Sequence, residues 1–227
     1  MPTMRSRLTG ATYALARLQG GGRLVLILAL AFGFMVVQAP RAHAYSGGNA
    51  AAYADRYAVN GNCGNYPCLS DDCTNFVSQA VHAGGFSMKG IGGSTTDDNN
   101  WFIQSCWWCW YGYNWSHSWT VAGDYYTFLQ WDYPGGYNWG TKSGSDAEFY
   151  SGLDTGDVLF YDWDSNGSLD HSAIQVSVGT DPTSGWYGDL IDEHTSNRYH
   201  AFWSLDPYNS RASTTTITLE HISSSNT

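Results

Sequence analysis

Five cysteines, Cys63, Cys68, Cys73, Cys106 and Cys109, fall within one stretch of this chain. An odd number cannot all be paired, so in an oxidising compartment one thiol is left over, either reactive or joined to another molecule. The short spacings make Cys63–Cys68 and Cys106–Cys109 a natural pairing, while cross-pairing between those two groups stays open. Every natural arrangement leaves Cys73 free. Cys106-Trp107-Trp108-Cys109 is also a C-x-x-C. A redox motif of that kind opens a helix after a strand. This one stands in an aromatic, Gly-containing stretch and reads instead as a structural disulfide. The spacings are irregular for a four-Cys zinc site.

The oxidising compartment is implied by the N-terminus. Arg5, Arg7, Arg17 and Arg23 precede any acidic residue, Leu24 to Val37 is apolar, and Ala42-His43-Ala44 follows. Basic flank, short apolar run and small-residue site together read as a secretory signal peptide over residues 1–44. The run is short of the roughly 20 residues a spanning helix needs. Removal would leave residues 45–227 as one domain, secreted or held in the cell envelope, with no second apolar run and hence no membrane segment. Five of the ten basic residues and none of the twenty acidic ones lie before residue 45. So acidic a remainder does not suit a nucleic-acid partner, whose phosphates need clustered Lys and Arg. All eleven tryptophans lie in that remainder. They can fill the core or line a sugar or peptide groove, and composition weighs the two equally. A monomer is expected.

Helices come first along the chain. Asn49 to Val59 carries Ala and Tyr on one side, and Gly61 to Leu69 is a loop rich in Gly, Asn and Pro. Ser70 or Asp72 can cap a second helix. Phe76, Val77, Ala80 and Val81 follow at helical spacing, and Gly84 ends it. Cys73 therefore stands in its first turn. Residues 90–119 read as loop and Val121 to Trp131 as a shorter helix. Asp157 to Trp163, His171 to Val178, Tyr187 to Glu193 and Thr214 to Ile222 read as strands. The expected class is α+β, with N-terminal helices packed on a small antiparallel sheet.

These placements permit nucleophilic chemistry. A thiol at a helix N-terminus is acidified by the dipole, and more so beside an imidazole. Asp71 and Asp72 oppose that shift, so a cationic partner is needed. His171 opens a strand from which its ring can face the helix start. A third group should bond the far ring nitrogen and come from the next strand, where Asp192, Glu193, His194 and Asn197 are the candidates. His82, His117, His200 and His221 lack such a placement and read as surface or loop residues.

The block Asp72-Cys73-Thr74-Asn75-Phe76-Val77-Ser78-Gln79, followed by Gly84-Gly85, resembles the signature of a bacterial family of amidase domains. Three later blocks resemble it too, in the same order: Ser118-Trp119, Gly156-Asp157-Val158-Leu159 before Asp170-His171-Ser172, and His194-Thr195. The resemblance implies a papain-like cysteine hydrolase fold, related to CHAP and NlpC-type cell-wall hydrolases, with Cys73 as nucleophile and His171 as base. For the third position, NlpC-type relatives favour a second histidine, His194. CHAP-type relatives favour an acidic or amide residue, Glu193 or Asn197. His194 is the preferred assignment here, with Asp192, Glu193 and Asn197 as alternatives. Tyr66 resembles a tyrosine that assists the oxyanion site in NlpC-type relatives, while the Cys73 backbone N–H is a donor on helix position alone. The implied reaction is cleavage of an amide in a peptide or peptidoglycan-like substrate, with no cofactor required. A non-catalytic wall- or glycan-binding module using the aromatic surface is the alternative.

One further motif stands just before His171. Asp162, Asp164, Asn166, Ser168 and Asp170, with Gly167 at the turn, match the first nine positions of a calcium loop. The bidentate Glu of position 12 is replaced by Ala173, and no helix pair flanks the loop. A polar hairpin turn explains the same residues, so calcium is an expectation to be tested.

Overall fold

A computed structural model describes residues 44–132 and 135–223. Apart from Ala44, the expected signal peptide lies outside the described residues. Among these, no helix is long and apolar enough to cross a membrane. Two helices lead, α1 (Gly47–Tyr57) and α2 (Cys73–Ala83). A two-stranded ribbon of β1 (Ile103–Ser105) and β2 (Tyr113–Trp115) follows, then the short helices α3 (His117–Thr120) and α4 (Ala122–Thr127), the latter running into a π-helical turn, Phe128–Asp132. The rest is sheet: β3 (Gly136–Ser143), β4 (Val158–Asp162), β5 (His171–Thr180), β6 (Tyr187–Glu193), β7 (Arg198–Phe202) and β8 (Thr216–Ile222). These six strands form one antiparallel sheet in the order β3-β8-β4-β5-β6-β7. The class is α+β, as the element pattern implies.

Strand alternation gives the sheet two buried faces. Val158, Phe160, Ile174 and Leu190 join Ala50, Ala54, Phe76, Val77 and Ala80 of the helices in one cluster. Leu159, Tyr161, Ala173 and Ile191 point the other way, into a second cluster closed by Phe202, Trp203 and Leu205. Hence β4 is buried along its whole length.

The helix α2 is buried from Cys73 through Val81, polar residues included. Those polar groups must be satisfied from within. The Trp119 indole N–H donates to Asn75 Oδ1 at 2.8 Å, and that of Trp101 to Ser78 Oγ at 3.1 Å. The Tyr53 hydroxyl donates to Gln79 Oε1 at 2.7 Å, and Thr74 and Ser172 share a hydroxyl contact of 3.0 Å. The block from Thr74 to Gln79 is thus a row of indole, phenol and hydroxyl partners, which explains why Ser118-Trp119 accompanies it.

Gly156 is required by geometry. Its φ is +95°, and a Cβ there would stand 2.2 Å from the Cα of Gly47 at the start of α1. The Tyr45 hydroxyl donates to the Gly156 carbonyl at 2.5 Å. Here the first helix is bolted to the approach of β4.

The tryptophans divide between the core and the surface. Trp101, Trp119 and Trp203 are wholly buried, whereas Trp107 and Trp110 are 90% and 94% exposed, with Trp108 beside them. Disulfides join Cys63 to Cys68 and Cys106 to Cys109, and Cys73 is the free cysteine among the described residues.

Candidate active site

Cys73 is the first residue of α2, with Asp72 as its N-cap. The Asp72 carboxylate makes no capping hydrogen bond to the helix. It turns back instead, accepting from the Leu69 N–H at 3.2 Å, the Asn75 side-chain amide at 2.7 Å and the His194 ring at 2.6 Å. The first N–H groups of the helix, Cys73's own included, therefore keep their outward dipole without a competing cap.

His171 is held at the start of β5, where its register partner is Tyr161. The hairpin before it is closed by aspartates. Asp162 accepts from the N–H groups of Asn166 and Gly167 at 3.1 and 2.7 Å, and Asp170 accepts from that of Trp163 at 3.0 Å. The Trp163 ring then stacks on the imidazole at 5.4 Å between centroids. His171 Nε2 meets Glu193 Oε2 at 2.5 Å, which leaves Nδ1 for the thiol. The other oxygen of Glu193 is paired with Arg198, whose guanidinium lies 4.8 Å over the Tyr208 ring.

The electrostatics follow from this chain of contacts. Burial alone would push the Cys73 thiol up. The hydrogen bond and charge of His171, with help from Thr74 and the Ser172 backbone, bring it down to about 7. Burial would equally push His171 down, and its bonds to Cys73 and Glu193 raise it to about 9. Burial opposes ionisation of Glu193, but His171 and Arg198 hold its carboxyl below the usual range. Between about pH 7 and 9 the arrangement favours a thiolate beside an imidazolium. These are values of a coupled pair rather than of two separate groups.

The structure sorts the candidates for the third position. Glu193 touches His171. His194, the preferred assignment from the resemblance, does not. It is bound to Asp72 on one nitrogen, to the Tyr57 carbonyl at 2.8 Å on the other, and stacked on Phe76. Asp192 faces the opposite side of β6 and accepts from the His200 N–H, and the Asn197 amide donates to the Val59 carbonyl. Successive strand residues point to opposite faces, so Glu193 and Asp192 cannot share a role. Tyr66 stacks on Trp119 and is not part of the cleft wall.

That cleft has a volume of about 430 Å³, with Cys73, His171 and Glu193 in its wall beside Asp71, Trp163 and Tyr208. Arg198 and Arg211 also line it. Sequence reasoning passed over Arg198. The signal available was scarcity, since residues 45–227 hold only five cations and two of them stand here. In the expected calcium loop the carboxylates of Asp162, Asp164 and Asp170 come within 4.8 Å of one another. Asn166 Oδ1 is committed to the Ser168 N–H at 2.8 Å.

The family model described as "Putative amidase domain" matches residues 44–217, which takes in every residue of this site. The chain belongs to that family. It is 29% identical over 171 residues to uncharacterized protein YhbB of Bacillus subtilis (strain 168), covering 73% of this chain and 46% of that protein. It is 32% identical over 151 residues to uncharacterized protein YjcM of the same organism, covering 63% of this chain and 30% of that protein. The chain thus spans less than half the length of these curated relatives. No solved structure matches it. Membership of the amidase-domain family points to hydrolase chemistry.

Proposed function

We propose that the protein is an exported, papain-like cysteine amidase or peptidase in which Cys73 is the nucleophile, His171 the acid and base, and Glu193 the residue that orients His171. The observation that carries this reading is the unbroken line from the free thiol at the start of α2, through the imidazole, to a carboxylate 2.5 Å from the far ring nitrogen. In the proposed reaction the Cys73 thiolate attacks an amide carbonyl carbon. The developing oxyanion meets the Cys73 N–H and the positive end of α2. The His171 imidazolium protonates the leaving amine as the C–N bond breaks. The ring, now neutral, takes a proton from water, which attacks the thioester and frees the acid. Glu193 holds the ring so that one nitrogen always faces the sulfur, and Arg198 keeps that carboxylate ionised.

The fold alone does not name a substrate. The resemblance to cell-wall hydrolases favours peptidoglycan stem peptides or N-acetylmuramoyl amides, and the two disulfides suit an enzyme working outside the cell. Export itself rests on the N-terminal signal read from the sequence. The test is incubation of purified peptidoglycan with the wild type and with Cys73→Ala, with released fragments identified by mass spectrometry. New amine termini made by the wild type alone support the reading. The exposed Trp107, Trp108 and Trp110 favour a second reading, a wall- or glycan-binding module. It predicts binding to walls that survives Cys73→Ala, with no fragments released by the wild type.

A further inference from the structure

Outside the cleft, on the helix side of β6, three potential metal ligands converge. Asp55 comes from α1, Asp192 from β6 and His200 from β7, with one ligand atom of each within 4.8 Å of the others. Acidic clusters on surfaces are common and mean nothing by themselves. This one contains an anomaly. Asp192 is 0% exposed, and its Oδ2 has no hydrogen-bond partner. Its Oδ1 accepts from the His200 N–H at 2.7 Å, which fixes the carboxylate beside Asp55. The His200 ring reaches the same point from the other side, with Nε2 2.9 Å from Asp55 Oδ1. A buried carboxylate beside a second carboxylate calls for a proton or a cation between them.

We propose that Asp55, Asp192 and His200 form a binding site for a divalent transition-metal ion of the zinc type. Two carboxylates and one neutral imidazole match the dication's charge. They supply three of the four ligands of a tetrahedral site, with water as the fourth. The imidazole argues against calcium and magnesium, which take sets made of oxygen alone. Ligand bonds of about 2.0–2.2 Å need Asp55 and His200 to part by only a few tenths of an ångström. Asp55 is on an exposed turn of α1 and can supply that movement. The ion would tie α1 to β6 and β7 on the face opposite Glu193. Its role is structural, because none of its ligands lines the catalytic cleft.

The experiment uses the untagged full chain in a Cys73→Ala background, so that the thiol does not compete for metal. After chelator treatment and dialysis, zinc sulfate is titrated by calorimetry, and melting is followed with zinc and with EDTA. One zinc per chain is expected. The expected rise in Tm is about 5–10 °C at zinc concentrations a hundredfold above Kd. Both effects should vanish in Asp192→Asn and in His200→Asn. Asparagine suits the second position because His200 has a φ of 56°, a conformation Asn tolerates. They should persist in His221→Gln and Asp164→Asn, which alter the other two acidic clusters. Identical melting with zinc and EDTA would overturn the proposal and leave a proton shared between the two carboxylates. A zinc effect surviving Asp192→Asn and His200→Asn, or lost in His221→Gln or Asp164→Asn, would overturn it too.

Discussion

Replacing His171 by alanine removes the group that makes Cys73 acidic. The thiol stands at about 7 instead of 9.0, against the pull of burial. Two units correspond to about 2.7 kcal/mol of preference for the thiolate. Without the ring, burial remains, and only Thr74 and the Ser172 backbone are left to favour the anion. The midpoint of alkylation should therefore move from about 7 to 9 or above. At pH 7 the thiolate fraction falls roughly 50-fold, from about one half to about one hundredth. A more basic thiolate is a better nucleophile, and with a Brønsted coefficient of about 0.4–0.5 this restores roughly six- to tenfold. The net loss in alkylation rate at pH 7 is then only about five- to eightfold, so the rate at one pH is a poor readout and the midpoint is the decisive one. The assay is iodoacetamide labelling of the unreduced protein from pH 5 to 10, with the modified peptide mapped by mass spectrometry. A midpoint that stays near 7 in His171→Ala refutes the ion pair, and so does label on any other cysteine. The proposed catalysis, in which thiolate and imidazolium act together, should give a bell-shaped kcat/KM profile with limbs near 7 and 9. The acid limb reports loss of the thiolate as pH falls, and the alkaline limb loss of the imidazolium as pH rises.

The two neighbours Glu193 and His194 should separate in the same assay. Glu193→Gln removes the charge that raises His171, so its alkaline limb should move to lower pH and kcat should fall by about 10²-fold or more. His194→Ala should leave the thiol midpoint in place but strip a partner from the buried Asp72, lowering stability by about 1–3 kcal/mol in urea unfolding. A shift of the midpoint in His194→Ala with none in Glu193→Gln would reverse their roles. Gly156→Ala should destabilise by upwards of about 2 kcal/mol, because a side chain there meets both an unfavourable φ and the backbone of Gly47. A Tm within a degree or two of wild type would show that α1 can shift to make room. If the Asp162–Asp170 loop takes calcium, millimolar calcium should raise Tm over chelator, and Asp164→Asn should abolish the gain. Superimposable curves leave a hairpin turn closed by its own aspartates.

Much of the candidate site was legible in the sequence because its signals are local. Cysteine parity singled out Cys73, and the spacing of Phe76, Val77, Ala80 and Val81 put it in the first turn of a helix that begins at Cys73 itself. Strands β4, β5, β6 and β8 read correctly within a few residues, since each carries a buried apolar pattern. The strands that were missed in the large sheet, β3 and β7, are its two edges. An edge strand such as β3, exposed along most of its length, has no burial pattern to read.

The third site residue shows where local reading stops. The sequence by itself determined that the candidate partners for His171 stand at or just past the end of β6, because strand length and order are written in the hydrophobic pattern. It did not determine which of four polar residues within this short segment that partner would be. Asp192 and Glu193 point to opposite faces by strand geometry, and His194 lies past the strand end, before a turn in which Thr195 has a φ of 76°. Which face meets the thiol depends on how α2 packs against the sheet, and on Arg198 from β7 closing over Glu193. Those are contacts between residues far apart in the chain, so only the tertiary structure could decide that Glu193 meets His171 and that His194 is left to brace the helix start.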